Sequence, residues 1–193
     1  MLFQYILVII IGLLPSAIWL VFFEQEDKKH PEPISRILYA FILGIFSTFL
    51  ALLIQVLINN LLLDGGIGSR SPLSVTIFAA IEEIVKFSAI FLVIRHKKGF
   101  DEPLDAMIYL ITIGLGFAAV ENIASVFNQS GSLELVIGSG RAFEVLVLRF
   151  LGATLLHALL GAGIGFHWAI GIIKKRFIKW RIFVGILGAI LLH

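Results

Sequence analysis

The chain has 193 residues, 59% of them hydrophobic and only 15% charged, with a net charge of +2 and a mean hydropathy of +1.02. A soluble domain of this size has no interior large enough to hide so much apolar surface, so the sequence reads as an all-α, polytopic membrane protein. Nucleic acid is not indicated, because the basic residues sit in short loops between apolar runs, and the lack of cysteine excludes disulfides, thiol catalysis and thiolate metal sites.

Six apolar stretches follow in chain order: Leu2–Phe23, Ile34–Leu63, Leu73–Ile94, Pro103–Phe127, Ala142–Ile173 and Ile182 to His193. A bilayer core takes about 20 apolar residues per helix, which the first five supply. The first has no basic n-region and no small-residue cleavage pattern before "FEQEDKKH", so it reads as a helix rather than a signal peptide. The last has about a dozen residues, too few to cross alone. It is expected to be a truncated span, with the native chain running on past His193. The expectation is a bundle of about six transmembrane helices forming one integral-membrane domain over residues 1–193.

Basic residues set the orientation. Lys28, Lys29 and Arg36 lie on the first loop, Arg95, Lys97 and Lys98 on the third, and Lys174, Lys175, Arg176, Lys179 and Arg181 on the fifth. The even loops carry only Arg70 and Arg141. The positive-inside rule then places the odd loops in the cytoplasm and the N-terminus outside. On this topology, at 1.5 Å per residue, Glu82 and Glu83 lie about 14 Å below the outer face, and Glu121 and Arg149 about 10 Å below it. His157 is about 12 Å deeper than Arg149, and His193 about 18 Å in from the cytoplasmic side.

Ionisable groups at such depths are costly. If each faced lipid, Glu82, Glu83, Lys86, Glu121, Arg149 and His157 would together cost more than about 10 kcal/mol. They are therefore expected to face one another or a water-filled cavity open to the outer side. Glu82 and Glu83 stand i,i+4 and i,i+3 to Lys86, so all three share one helix face. The i,i+4 geometry favours Glu82 as the partner of Lys86, which leaves Glu83 as the weaker-paired acid and candidate general base. Ala79, Ala80 and Ala89 flank this face and allow close helix approach. Arg149, Ala153, His157, Gly161 and Gly165 form a drifting stripe at four-residue spacing, whose Gly161-x-x-x-Gly165 end is a packing face.

Other polar residues have plainer readings. His30 and His96 sit in loops, and His167 reads as an interfacial side chain. Asp105 suits the N-terminus of the fourth helix. Trp19, Trp168 and Trp180 suit interfacial anchoring.

A glutamate in a low-dielectric pocket can take a proton from water, and a histidine or arginine opposite it can stabilise the oxyanion that follows. Glutamates and histidines from facing helices can equally bind zinc. No HExxH is present, so both routes stay open. An ion- or proton-coupled transporter would also bury such groups, but the spans show no inverted repeat. A non-catalytic membrane scaffold is the third reading.

The motifs carry a resemblance. "EEIVK" (Glu82–Lys86) fits EExxK, "FAAVEN" (Phe117–Asn122) fits FxxxEN, and Arg149 with His157 fits Rx7H. With "DKKHPEP" and the run Phe100–Asn122, the chain resembles the PrsW family of intramembrane proteases, relatives of the CAAX prenyl endopeptidases. The resemblance implies an intramembrane endopeptidase of the bacterial cytoplasmic membrane. Its substrate would be a single-span, anti-sigma-factor-like membrane protein, cut extracytoplasmically at site 1. By the same resemblance Glu82, Glu83, Glu121, His157 and His193 are the catalytic residues, and Lys86, Asn122, Arg149 and Phe117 support them. The cofactor is none or a divalent metal such as zinc, with Glu83, Glu121, His157 and His193 as candidate ligands. The implied partners are that substrate and the lipid bilayer, with no nucleic acid.

Overall fold

The computed structural model describes residues 2–26, 31–60, 71–94, 102–128, 144 and 147–193, and among these it contains helices and no strand. We number the helices α1 (Leu2–Glu26), α2 (Ile34–Ile58), α3 (Pro72–Ile94), α4 (Asp105–Asn128), α5 (Leu155–Ile173) and α6 (Ile178–Leu192). A π-helical turn, Phe150–Thr154, leads into α5. His30 and His96 lie outside the described residues.

Four segments are long and apolar enough to cross a membrane: Tyr5–Gln25, Ile34–Ile58, Asp105–Phe127 and Val147–Ile173. The protein is a multi-pass integral membrane protein. α3 has 23 residues, a sufficient length, but carries Glu82, Glu83 and Lys86. α6 has 15 residues and begins at Ile178, four positions before the expected start. Lys179 and Arg181 mask its first turn in the hydropathy, and the left-handed Phe177 (φ 57°) marks where the helix begins.

Apart from Asp105 at its start and the Glu121–Asn122 step, α4 is largely apolar around its circumference, and such a helix belongs in the interior. α1, α2 and α5 pack around it, and α3 joins them from the side of α2. Tyr109, Ile113, Leu115, Phe117, Ala118 and Ala119 on α4 are all buried, whereas Phe3, Phe22, Phe46, Phe49 and Leu53 on α1 and α2 turn outward.

Glycines let the backbones touch. A Cβ on Gly44 would sit 2.1 Å from the Ile113 carbonyl oxygen, and one on Gly116 would sit 2.1 Å from that of Phe41. Gly161 and Gly165 of α5 approach Leu110 and Met107 of α4 in the same way, so the small-residue face read from the sequence is the α4–α5 seam. Trp168 departs from its interfacial reading. It is 7% exposed and packs on Phe87 and Phe91, because α3 covers that side of α5. Trp19 is likewise engaged, stacking on Phe150 and donating its indole N–H to the Phe150 carbonyl at 2.9 Å.

A second polar cluster ties the segment before α2 to α4. The Tyr109 hydroxyl donates to Glu32, Arg36 stands 3.9 Å from the same carboxylate, and Asp105 accepts the Glu102 N–H at 2.8 Å. Asp105 thus has the structural place expected at a helix N-terminus.

Candidate active site

Residues from α2, α3, α4, α5, α6 and the π-turn meet in one polar region. Lys86 is 4% exposed, and its Nζ donates to Glu83 Oε1 at 2.5 Å while lying 2.9 Å from His157 Nδ1. The other ring nitrogen, His157 Nε2, lies 2.9 Å from Glu121 Oε2. Arg149 reaches the same Glu121 oxygen through Nη2 at 3.1 Å and donates from Nε to Asn122 Oδ1 at 2.5 Å. Asn122 in turn donates to Thr154 at 3.0 Å. Phe117 closes the floor, 5.4 Å from the His157 ring and beneath the Lys86 ammonium at 4.9 Å. Glu82, Glu83, Lys86, Glu121, Asn122, Arg149, His157 and His193 are therefore brought together, and Glu83 and His157 share one ammonium.

The π-turn explains how Arg149 and His157 serve one carboxylate. Eight residues of regular α-helix would set them about 80° apart. A π-bulge absorbs one extra residue and leaves them within about 20°. The sequence gives the spacing but not the bulge.

One pairing differs from expectation. Lys86 takes Glu83, not Glu82, because its ammonium is drawn inward to serve His157 as well. Glu83 is 1% exposed and committed to that pair. Glu82 turns the other way, where Gln55 of α2 donates to its Oε1 at 2.9 Å. Its Oε2 is buried without a hydrogen-bond partner and lies 3.2 Å from His193 Nε2, off hydrogen-bonding angle. Gln55 was not singled out in the sequence. Its signal was a lone amide in a long apolar run, where a polar side chain needs a partner.

A cleft of about 240 Å³ opens beside these groups, lined by Thr48, Ala51, Gln55, Glu82, Phe117, Glu121 and Arg149 among others. It has two acids and one cation on its wall, with apolar and small residues between.

Glu82, His157 and His193 each offer one ligand atom, and the three atoms lie within 4.8 Å of one another. Two imidazoles and a carboxylate are a donor set that suits zinc. The unpartnered, buried Glu82 oxygen is the kind of atom an ion would satisfy. The residues fit a divalent metal, which would displace Lys86 or Glu121 from one nitrogen of His157. Of the four ligands expected, Glu83 and Glu121 lie outside this triad: Lys86 holds the first, and Arg149 and His157 hold the second.

Comparison with known proteins agrees with the motifs. The model of the family described as "PrsW family intramembrane metalloprotease" matches residues 32–193. A protein named Protease PrsW from Geobacillus kaustophilus is 27% identical over 176 residues, covering 90% of this chain and 72% of its own length. The Clostridioides difficile protein of that name is 26% identical, covering 95% and 75%. The one from Bacillus subtilis is 29% identical, covering 88% and 72%. No solved structure matches. With its motif residues gathered at one buried site and the family match running through α2 to α6, the chain belongs to the PrsW family and is an intramembrane protease.

Proposed function

We propose that this protease cuts a single-span, anti-sigma-factor-like membrane protein on its extracytoplasmic side, as a site-1 cleavage in a bacterial cytoplasmic membrane. Its own N-terminus would lie outside. The observation that carries the reading is the unpartnered Glu82 oxygen, beside His193 and next to a cleft walled by Arg149 and Glu121. The orientation draws support from the cations on the odd loops.

Glu82 takes a proton from water, and the water oxygen bonds to the scissile carbonyl carbon. The carbonyl electron pair moves onto oxygen, where Arg149 on the cleft wall stabilises the negative charge. Collapse re-forms the carbonyl, the C–N bond breaks, and the proton held by Glu82 passes to the leaving amine. Gln55 keeps Glu82 Oε1 fixed, so Oε2 is the oxygen free to act. Glu83 through Lys86, and Glu121 on the opposite nitrogen, hold the His157 ring, and Asn122 with Thr154 steadies Arg149. Glu82, His157 and His193 would hold a divalent metal such as zinc, which when bound supplies Lewis acidity and a more acidic water.

The test is a co-reconstituted single-span substrate, with products identified by mass and the metal content of the protease measured. Expected are two fragments cut at one bond near the outer face. One bound equivalent of zinc, with activity lost to a chelator and restored by zinc, assigns the metal route. A full rate after chelation assigns the metal-free glutamic route. A folded protein that cuts no such substrate but conducts protons or ions would replace the reading with the transporter.

A further inference from the structure

The turn between α5 and α6 lies away from this site and has its own chemistry. Lys174, Lys175, Arg176, Lys179 and Arg181 crowd into residues 174–181, and the sequence from Val145 to His193 contains no Asp or Glu. Among the described residues no ion pair involves any of the five. The backbone is strained there, with Lys175 at φ 47° and Phe177 at φ 57°, a region costly for any residue with a Cβ. A cavity of about 650 Å³ opens at this end of the two helices, lined by His167, Phe177, Trp180, Arg181 and Val184. Arg181 also has a sealed Nε with no hydrogen-bond acceptor among the described residues.

We propose that this cavity seats the headgroup of an anionic phospholipid of the phosphatidylglycerol class. Three features select that occupant. The charge is positive and uncompensated, so the ligand is an anion. The cavity ends a membrane-spanning helix, at the level where headgroups lie and where basic pockets between helices bind them. Its volume and its Phe177, Trp180 and Val184 walls exceed what a bare phosphate would fill and suit the glycerol and first acyl carbons. Trp180 is 63% exposed, with an apolar body and an N–H that can stay at the wet edge. Arg181 and His167 face the phosphate, and the lysines add long-range attraction. The seat matters because α6 carries His193 to the catalytic region, so a lipid wedged at its start fixes its place against α5.

The experiment is native mass spectrometry of the full chain released from detergent. It is titrated separately with phosphatidylglycerol, phosphatidylcholine and glycerol phosphate. The expected result is one retained phosphatidylglycerol, bound at least about tenfold tighter than phosphatidylcholine, with glycerol phosphate unable to compete. Arg181→Gln should weaken it at least about fivefold, Arg181→Lys less, and the double change Lys174→Gln with Lys175→Gln less than about twofold. Arg181→Lys keeps the charge and guards against a folding defect. Equal binding of the two lipids, equal losses for every cation removed, or full competition by glycerol phosphate would each overturn the proposal, the last in favour of a free-anion site.

Discussion

At Glu83 the carboxylate is 1% exposed and holds Lys86 at 2.5 Å, so removing its charge leaves an ammonium buried beside His157. Breaking such a pair from one side costs about 3–5 kcal/mol, whereas replacing both partners by apolar groups can be close to neutral. Glu83→Gln should therefore lower the thermal unfolding temperature sharply, and the double variant Glu83→Gln with Lys86→Met should recover much of the loss. Glu82→Gln removes no such pair and should unfold within roughly 1 kcal/mol of the parent. Gln55→Leu takes the hydrogen bond from a mostly buried carboxylate and should cost about 1–3 kcal/mol. At matched folded fraction it should slow cleavage by about tenfold, because it frees the Glu82 carboxylate to rotate away from its working pose. These roles were only partly legible in the sequence. The cost of buried charge gathers the right side chains, but the i,i+4 rule describes an isolated helix. It does not know that His157, 71 residues away, competes for the Lys86 ammonium.

Each helix contributes through contacts as close as the backbone allows. Gly116→Ala would push a Cβ against the Phe41 carbonyl of α2 and should destabilise the protein by about 1–3 kcal/mol, read from unfolding in detergent. Gly163→Ala, where nothing lies within 4 Å, is the matched control and should be neutral or slightly stabilising. The π-turn before α5 makes a sharper claim. Inserting one alanine beside Gly152 would swing Arg149 by about 100° relative to His157, whereas removing the extra residue would leave them seven apart in regular α-helix and still within about 20°. The insertion is the informative change. Cleavage should then fall by at least about a hundredfold, while Gly152→Ala, with open space at that position, should remain active. The helical spans, the small-residue seam and the gathering of Glu82, Glu83, Lys86, Glu121, Arg149 and His157 could be read from hydropathy and spacing. The bulge, the early start of α6 and the burial of Trp168 could not, because each depends on a neighbouring helix.

Across the whole molecule, the bundle is closed at one end by Glu32, which packs beneath α4 on the Tyr109 hydroxyl. Burial pushes this carboxyl up from 4.5 to about 7, with Asp105 adding to the shift and the Tyr109 bond opposing it. The folded protein therefore keeps a proton that the unfolded chain has already given up. This contribution to stability is complete below about pH 4.5, declines as pH rises, and is gone above about pH 7. Unfolding temperatures in detergent should fall across that window, and Glu32→Gln should flatten the part due to this residue. Such a closure holds α4 in place, and α4 in turn presents Phe117, Glu121 and Asn122 to the helices around it. The account stands or falls on Glu82 as the acid that works on water. The direct measurement is the single-turnover cleavage rate of a co-reconstituted single-span substrate by the parent and by Glu82→Gln, at matched folded fraction. The account predicts a loss of at least about a thousandfold in the variant, in line with removal of an essential general base. A Glu82→Gln rate within about threefold of the parent would contradict it.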